Sequence, residues 1–147
     1  MNLIRIFPDP ILLKVASPIR EITDEIKKLA DDMIFIMKSK DAVGLAAPQI
    51  GESVRLVAIS GLADRSDKDI VAINPEITWA STARTVREEF CLSRPGFSVE
   101  VRRHKEIAVR ATGLNGVEFE IEARGWAARV WQHEIDHLNG IVIGGTS

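Results

Sequence analysis

Two histidines four residues apart enclose a glutamate in His133-Glu134-Ile135-Asp136-His137, and this is the segment best suited to chemistry. On a helix both imidazoles leave one face about one turn apart, so both can reach a single metal ion. The glutamate then sits beside the ion's open position, where it can act as general base. A pair of surface histidines with an incidental glutamate is the bland alternative. Two histidines also need a third ligand. The pattern H-E-x-x-H-x-x-G-x-x-H is broken, because Gly140 is in place but Ile143 stands where a third histidine would. The ten residues after His137 contain no His, Cys, Asp or Glu, so the third ligand must come from upstream. Candidates there are Cys91, His104 and several carboxylates. Cys91 leads them, since a thiolate is a strong ligand for Zn²⁺ and Fe²⁺ and the following Ser93-Arg94-Pro95-Gly96 contains turn residues.

These residues need elements to hold them. A helix over 124–138 carries the two histidines, with Trp126, Val130, His133 and His137 on one face and Gly140 placed to stop it. An earlier helix fits 24–38, with Thr23 as N-cap and Ile26, Leu29, Ala30, Met33, Ile34 and Met37 on its buried face. Small residues, Pro48 and two glycines make 42–51 (AVGLAAPQIG) a tight loop. Strands are expected at 53–60, 70–77, near 82–89 and near 98–103, followed by a hairpin of 105–112 with 117–122. Helix, strands, hairpin and helix give an α+β domain with a helix packed on antiparallel sheet.

Bulk properties agree with one globular unit. The 147 residues suit a single domain, taken as 1–147, and 46% hydrophobic with 27% charged residues is an ordinary balance. A net charge of −2 with dispersed Lys and Arg leaves no nucleic-acid or lipid footprint; the short basic run 102–105 reads as solvated strand or loop. No segment approaches a membrane span, no signal peptide is expected in the proline-broken start, and the lone Cys91 excludes an internal disulfide. A reducing, cytoplasmic setting is expected.

Three segments in order resemble the motifs of the peptide deformylase family. Its Gly-rich G-x-G-x-A-A-x-Q appears as Ala42-Val43-Gly44-Leu45-Ala46-Ala47-Pro48-Gln49, its E-G-C-x-S as Glu89-Phe90-Cys91-Leu92-Ser93, and its H-E-x-D-H as His133 to His137. The resemblance implies antiparallel sheets around a central metal-binding helix, and removal of the formyl group from N-terminal formyl-methionine of nascent chains, releasing formate. It implies Cys91, His133 and His137 as ligands of one divalent ion, Fe²⁺ in the cell with Zn²⁺, Ni²⁺ or Co²⁺ as substitutes. It makes Glu134 the acid/base, with Gln49 and the backbone N–H of Leu92 as oxyanion donors. Gly44, Val43, Glu89, Phe90, Trp126 and Val130 become substrate-binding residues, Gly44 letting the peptide backbone approach an extended site beside a strand. The expected partners are N-formyl-Met peptides, met by a monomer near the ribosome exit, with no nucleic acid or membrane bound.

The chain departs from that pattern at Ala42 and Phe90, which replace family glycines, and in ending soon after Gly140 without the long C-terminal helix. Ala42 is expected to narrow the cleft or strain the loop. Phe90 is expected either to fill a gap against the core or to alter the cleft. Two other readings follow: a metal- and formyl-peptide-binding relative with little or no turnover, and a metallopeptidase using the same machinery. Asp136 is expected in an ion pair with Arg103, His104 as a solvated or satisfied structural histidine, and Glu88 as cleft wall or surface.

Overall fold

A computed structural model of the protein describes residues 3–145. Its elements are α1 (Asp24–Ser39), β1 (Gly44–Ala46), β2 (Leu56–Ile59), β3 (Ile70–Ala80), β4 (Arg84–Phe90), β5 (Ser98–His104), β6 (Glu106–Thr112), β7 (Glu118–Arg124) and α2 (Gly125–Leu138). Five strands form an antiparallel sheet in the order β1-β2-β3-β6-β7, and β4 and β5 form a separate two-stranded ribbon.

Strand alternation divides the core. Leu56 and Ala58 pack toward α1 with Met33, Met37 and Leu45, whereas Val57 and Ile59 pack toward α2 with Val130, Trp131 and Leu138. Helix α1 starts where Thr23 accepts a hydrogen bond from the Ile26 N–H, at 3.2 Å. Its buried methionines are core, as their spacing predicts.

The expected loop at 42–51 is instead strand β1 followed by a 3₁₀ turn, Ala47–Ile50. Gly44 to Ala46 pair with Ile59 to Val57, so long-range pairing overrides the local turn signals. Ala42 shows no left-handed backbone strain; it packs among the α1-side residues and borders the cleft.

Helix α2 is covered on nearly every side, with the five-stranded sheet against one flank and the ribbon against another. Gln132 joins it to β5: its amide accepts from the His104 N–H at 3.0 Å and donates to the His104 carbonyl at 2.9 Å, as a neighbouring strand would. At the far end Arg55 donates to the Leu138 carbonyl (2.9 Å), and Gly140, at φ 75°, ends the helix. The basic run at 102–105 is only partly solvated, because Arg103 is buried. No helix among the described residues is long and apolar enough to cross a membrane.

Candidate metal centre

Strand β4 delivers Cys91 to the face of α2 that carries the two histidines. Cys91 Sγ lies 3.3 Å from His137 Nε2, and one ligand atom from each of Cys91, His133 and His137 falls within 4.8 Å of the others. Bonds of about 2.0–2.3 Å in a tetrahedral shell place ligand atoms roughly 3.5 Å apart, so the group fits a divalent ion such as zinc or iron with little adjustment. Two buried polar atoms here, Glu134 Oε1 and His137 Nδ1, have no hydrogen-bond partner among the described residues. An unpaired Glu134 Oε1 is costly unless something occupies the site; His137 meets Cys91 through Nε2, so its Nδ1 lies on the other edge of the ring.

His133 is oriented from behind. Its Nδ1 lies 2.9 Å from Glu89 Oε1, which leaves Nε2 for a ligand. Glu89 also accepts from Arg103 (2.9 and 3.0 Å) and from Arg129 (2.6 Å), and Arg103 continues to Asp136 (2.5 Å). The expected Asp136–Arg103 pair is therefore present. Burial pushes the Glu89 carboxyl up, but hydrogen bonds from His133, Arg103 and Arg129, with the Arg103 charge, outweigh it and hold the carboxyl down at about 2. Burial lowers His133, yet Cys91, Glu89 and Glu134 overcome it and raise the imidazole to about 10 in the metal-free protein. His137 goes the other way, held well below its ordinary value by burial and by the charges of His133 and Arg103.

Glu134 faces the same point from one helix position further on. Burial raises its carboxyl to about 7, against the opposing charges of His133 and Arg103. A group titrating there can take and return a proton at neutral pH. Gln49, on the 3₁₀ turn, is held by its Oε1, which accepts from the Ala46 N–H at 2.9 Å. Its Nε2 donates to Ser93 Oγ at 3.2 Å and points at Cys91 Sγ, 3.6 Å away. Leu92 follows Cys91 at the cleft edge.

A cleft of about 1060 Å³ opens beside these groups. Val43, Gly44, Phe90, Trp126 and Val130 all border it. Three placements refine the sequence expectations. Glu89 borders the cleft, and its carboxylate is committed to His133, Arg103 and Arg129. Gly44 is tight: a Cβ there would lie 2.7 Å from Glu134 Oε2 and 3.0 Å from Val130 Cγ1. Phe90 does not fill the core; its ring is 69% exposed at the cleft. Glu88 is cleft wall, and His104 is a satisfied structural histidine whose Nδ1 lies 2.7 Å from the Ser81 carbonyl.

Sequence reasoning did not find Arg129, Ser93 or Gln132. Arg129 stands one helical turn before His133, and a cation there on a face otherwise lined by Val130 and the ligands was the available signal. Ser93 lay inside the quoted motif without a role.

A buried cysteine sulfur and two imidazoles beside a buried glutamate define the site of a metal-dependent hydrolase. The sequence matches the polypeptide deformylase family over residues 1–144. A peptide deformylase of Thermodesulfovibrio yellowstonii is 44% identical over 141 residues, covering 95% of this chain and 85% of that protein. The crystal structure of the Thermotoga maritima peptide deformylase superposes with a TM-score of 0.91 at 43% identity, covering 97% of this chain and 95% of that one. A probable peptide deformylase from synechococcus phage S-SSM7 gives 0.89 at 34% identity, covering 97% of both chains. The chain belongs to the polypeptide deformylase family.

Proposed function

We propose that residues 1–147 act as one catalytic domain that hydrolyses the N-formyl group of formyl-methionyl peptides, leaving formate and a free N-terminal methionine. The observation that carries this reading is convergence: Cys91, His133 and His137 meet beside the unpartnered Glu134 Oε1, with the Gln49 amide aimed at the same point. Cys91, His133 and His137 would hold a divalent ion, Fe²⁺ in the cell, which would supply Lewis acidity and a more acidic water.

The chain's own residues do the rest. Glu134 takes a proton from the attacking water and returns it to the departing nitrogen. Gln49 Nε2 and the Leu92 N–H donate to the oxyanion that develops on the formyl carbon, a role whose loss costs about 10²–10³ in rate. Val43, Val130 and Trp126 wall the pocket for the methionine side chain. Buried Glu89 holds His133 in the orientation and tautomer that a ligand needs. A monomer in the cytoplasm, meeting chains as they leave the ribosome, fits the chemistry of a substrate that exists only on newly made proteins.

The test is formate release from formyl-Met-Ala-Ser by protein loaded anaerobically with Fe²⁺ or Ni²⁺, beside a Glu134→Gln variant and an acetyl-Met control peptide. Turnover should be confined to the parent and the formyl peptide, with Glu134→Gln slower by about 10²–10⁴ at equal metal content. A fully active Glu134→Gln protein would overturn the assignment of the base. Hydrolysis of internal peptide bonds would favour a metallopeptidase.

A further inference from the structure

Phe90 places an aromatic ring in water one residue before Cys91. A fold gains nothing from that exposure, and the ring is 69% exposed at the border of the cleft. The strand that carries it explains which part of a substrate it can meet. Strand β4 pairs with β5 along one edge only, and no strand among the described residues pairs with the other. Side chains alternate across β4: buried Glu89 points inward to Arg129 and His133 on α2, so Phe90 and Glu88 point to the outer face.

An extended peptide lying along the free edge of β4 alternates in the same way. Its first side chain, entering the pocket of Val130 and Trp126, is on the inner face with α2. Its second side chain must then fall on the outer face, where Phe90 stands. The chemistry of that face is readable. Phe90 lies opposite Ser98, while the next outward pair is Glu88 opposite Glu100, two carboxylates. Glu88 is exposed and accepts a hydrogen bond from Ser98 Oγ at 3.2 Å, so negative charge sits beside the ring.

We propose that Phe90 is a specificity-determining residue for the second position of the peptide, favouring a large apolar or aromatic side chain. The proposal rests on the deformylase reading above and deepens it. An apolar second residue covers the exposed ring and removes apolar surface of both partners from water. A glycine or a small polar residue leaves the ring bare. Because the contact is made equally before and during reaction, it belongs mainly in KM.

The experiment compares kcat and KM of the Ni²⁺-loaded protein on formyl-Met-Phe-Ala and formyl-Met-Gly-Ala. The parent should favour Phe over Gly by about tenfold, chiefly through KM. Phe90→Ser should bring the Phe/Gly ratio to within about threefold, and Phe90→Leu should retain most of it. A ratio unchanged in Phe90→Ser, or a parent that does not distinguish Phe from Gly, would overturn the proposal. If no formyl peptide is turned over, it is the deformylase reading that fails. Calorimetric affinities of the same metal-loaded proteins for Met-Phe-Ala and Met-Gly-Ala then decide Phe90's role: a preference lost in Phe90→Ser supports it, and equal affinities in the parent refute it.

Discussion

Replacing Glu89 by glutamine keeps the shape of the side chain and removes one buried negative charge from between three cationic or polar partners. Two guanidiniums that are less than a tenth exposed, Arg103 and Arg129, lose their shared carboxylate, and one of the two oxygens becomes an NH₂ facing their donors. Removing one partner of a buried pair costs about 3–5 kcal/mol, because the remaining charge is left uncompensated. The titration of Glu89 gives an independent figure. A displacement from the ordinary 4.5 to about 2, at about 1.36 kcal/mol per pH unit, corresponds to about 3 kcal/mol. Asp136 still neutralises Arg103 in the variant, so the lower end of the range applies, about 3 kcal/mol.

The sign follows from linkage. A carboxyl whose folded value is depressed contributes stability that is complete above its unfolded pKa near 4.5 and is lost as pH falls toward about 2. Urea unfolding of the metal-free proteins, followed by tryptophan fluorescence, should therefore show the variant's midpoint lower by about 1–2 M at pH 7. That gap should narrow at pH 3, where the parent has lost more than half of the same contribution. Glu89→Gln should also bind Ni²⁺ about 10–100-fold more weakly in competition with a chelator, since His133 loses its charged support. A stability loss below about 1 kcal/mol at pH 7, or an equal gap at both pH values, would refute the reasoning.

Three further outcomes are expected. Gly44→Ala should slow formate release by about 10²-fold with metal content unchanged, because the added Cβ falls 2.7 Å from Glu134 Oε2 and 2.9 Å from its Cγ and must displace the base. Parental kcat in the Gly44→Ala protein would show that the carboxylate moves aside freely. Cys91→Ser should lower the metal retained through gel filtration, measured by elemental analysis, since a hydroxyl is a far poorer ligand than a thiolate; retention equal to the parent would mean that the third ligand lies elsewhere. Metal uptake by the metal-free protein should strengthen as pH rises through the neutral range, because His133, raised to about 10, must give up its proton to bind. Isothermal titration in buffers of different ionisation enthalpy reads that proton release, and its absence would contradict the charge assigned to His133.

What was legible in the sequence was chemistry whose parts are close along the chain. His133, Glu134 and His137 lie within one helical turn and a half, so spacing alone sets their common face. The strand and helix periods likewise located α1, α2 and the β6–β7 hairpin to within a residue or two. What was not legible joins distant segments. Glu89 and Arg129 are 40 residues apart, Gln132 and His104 are 28 apart, and no local pattern relates either pair. Strand β1 was hidden for the same reason, since its three residues are strand only because β2 offers them an edge. Yet α2 held a readable warning. Its buried surface includes Arg129, Gln132, Glu134 and His137, polar groups that a helix buries only when each has a partner or a task. Arg129 and Gln132 have partners within the fold. Glu134 Oε1 and His137 Nδ1 have none among the described residues. The fold thus accounts for two of these buried polar residues, and the unpaired atoms of the other two fall within the His133–His137 motif from which the sequence argument began.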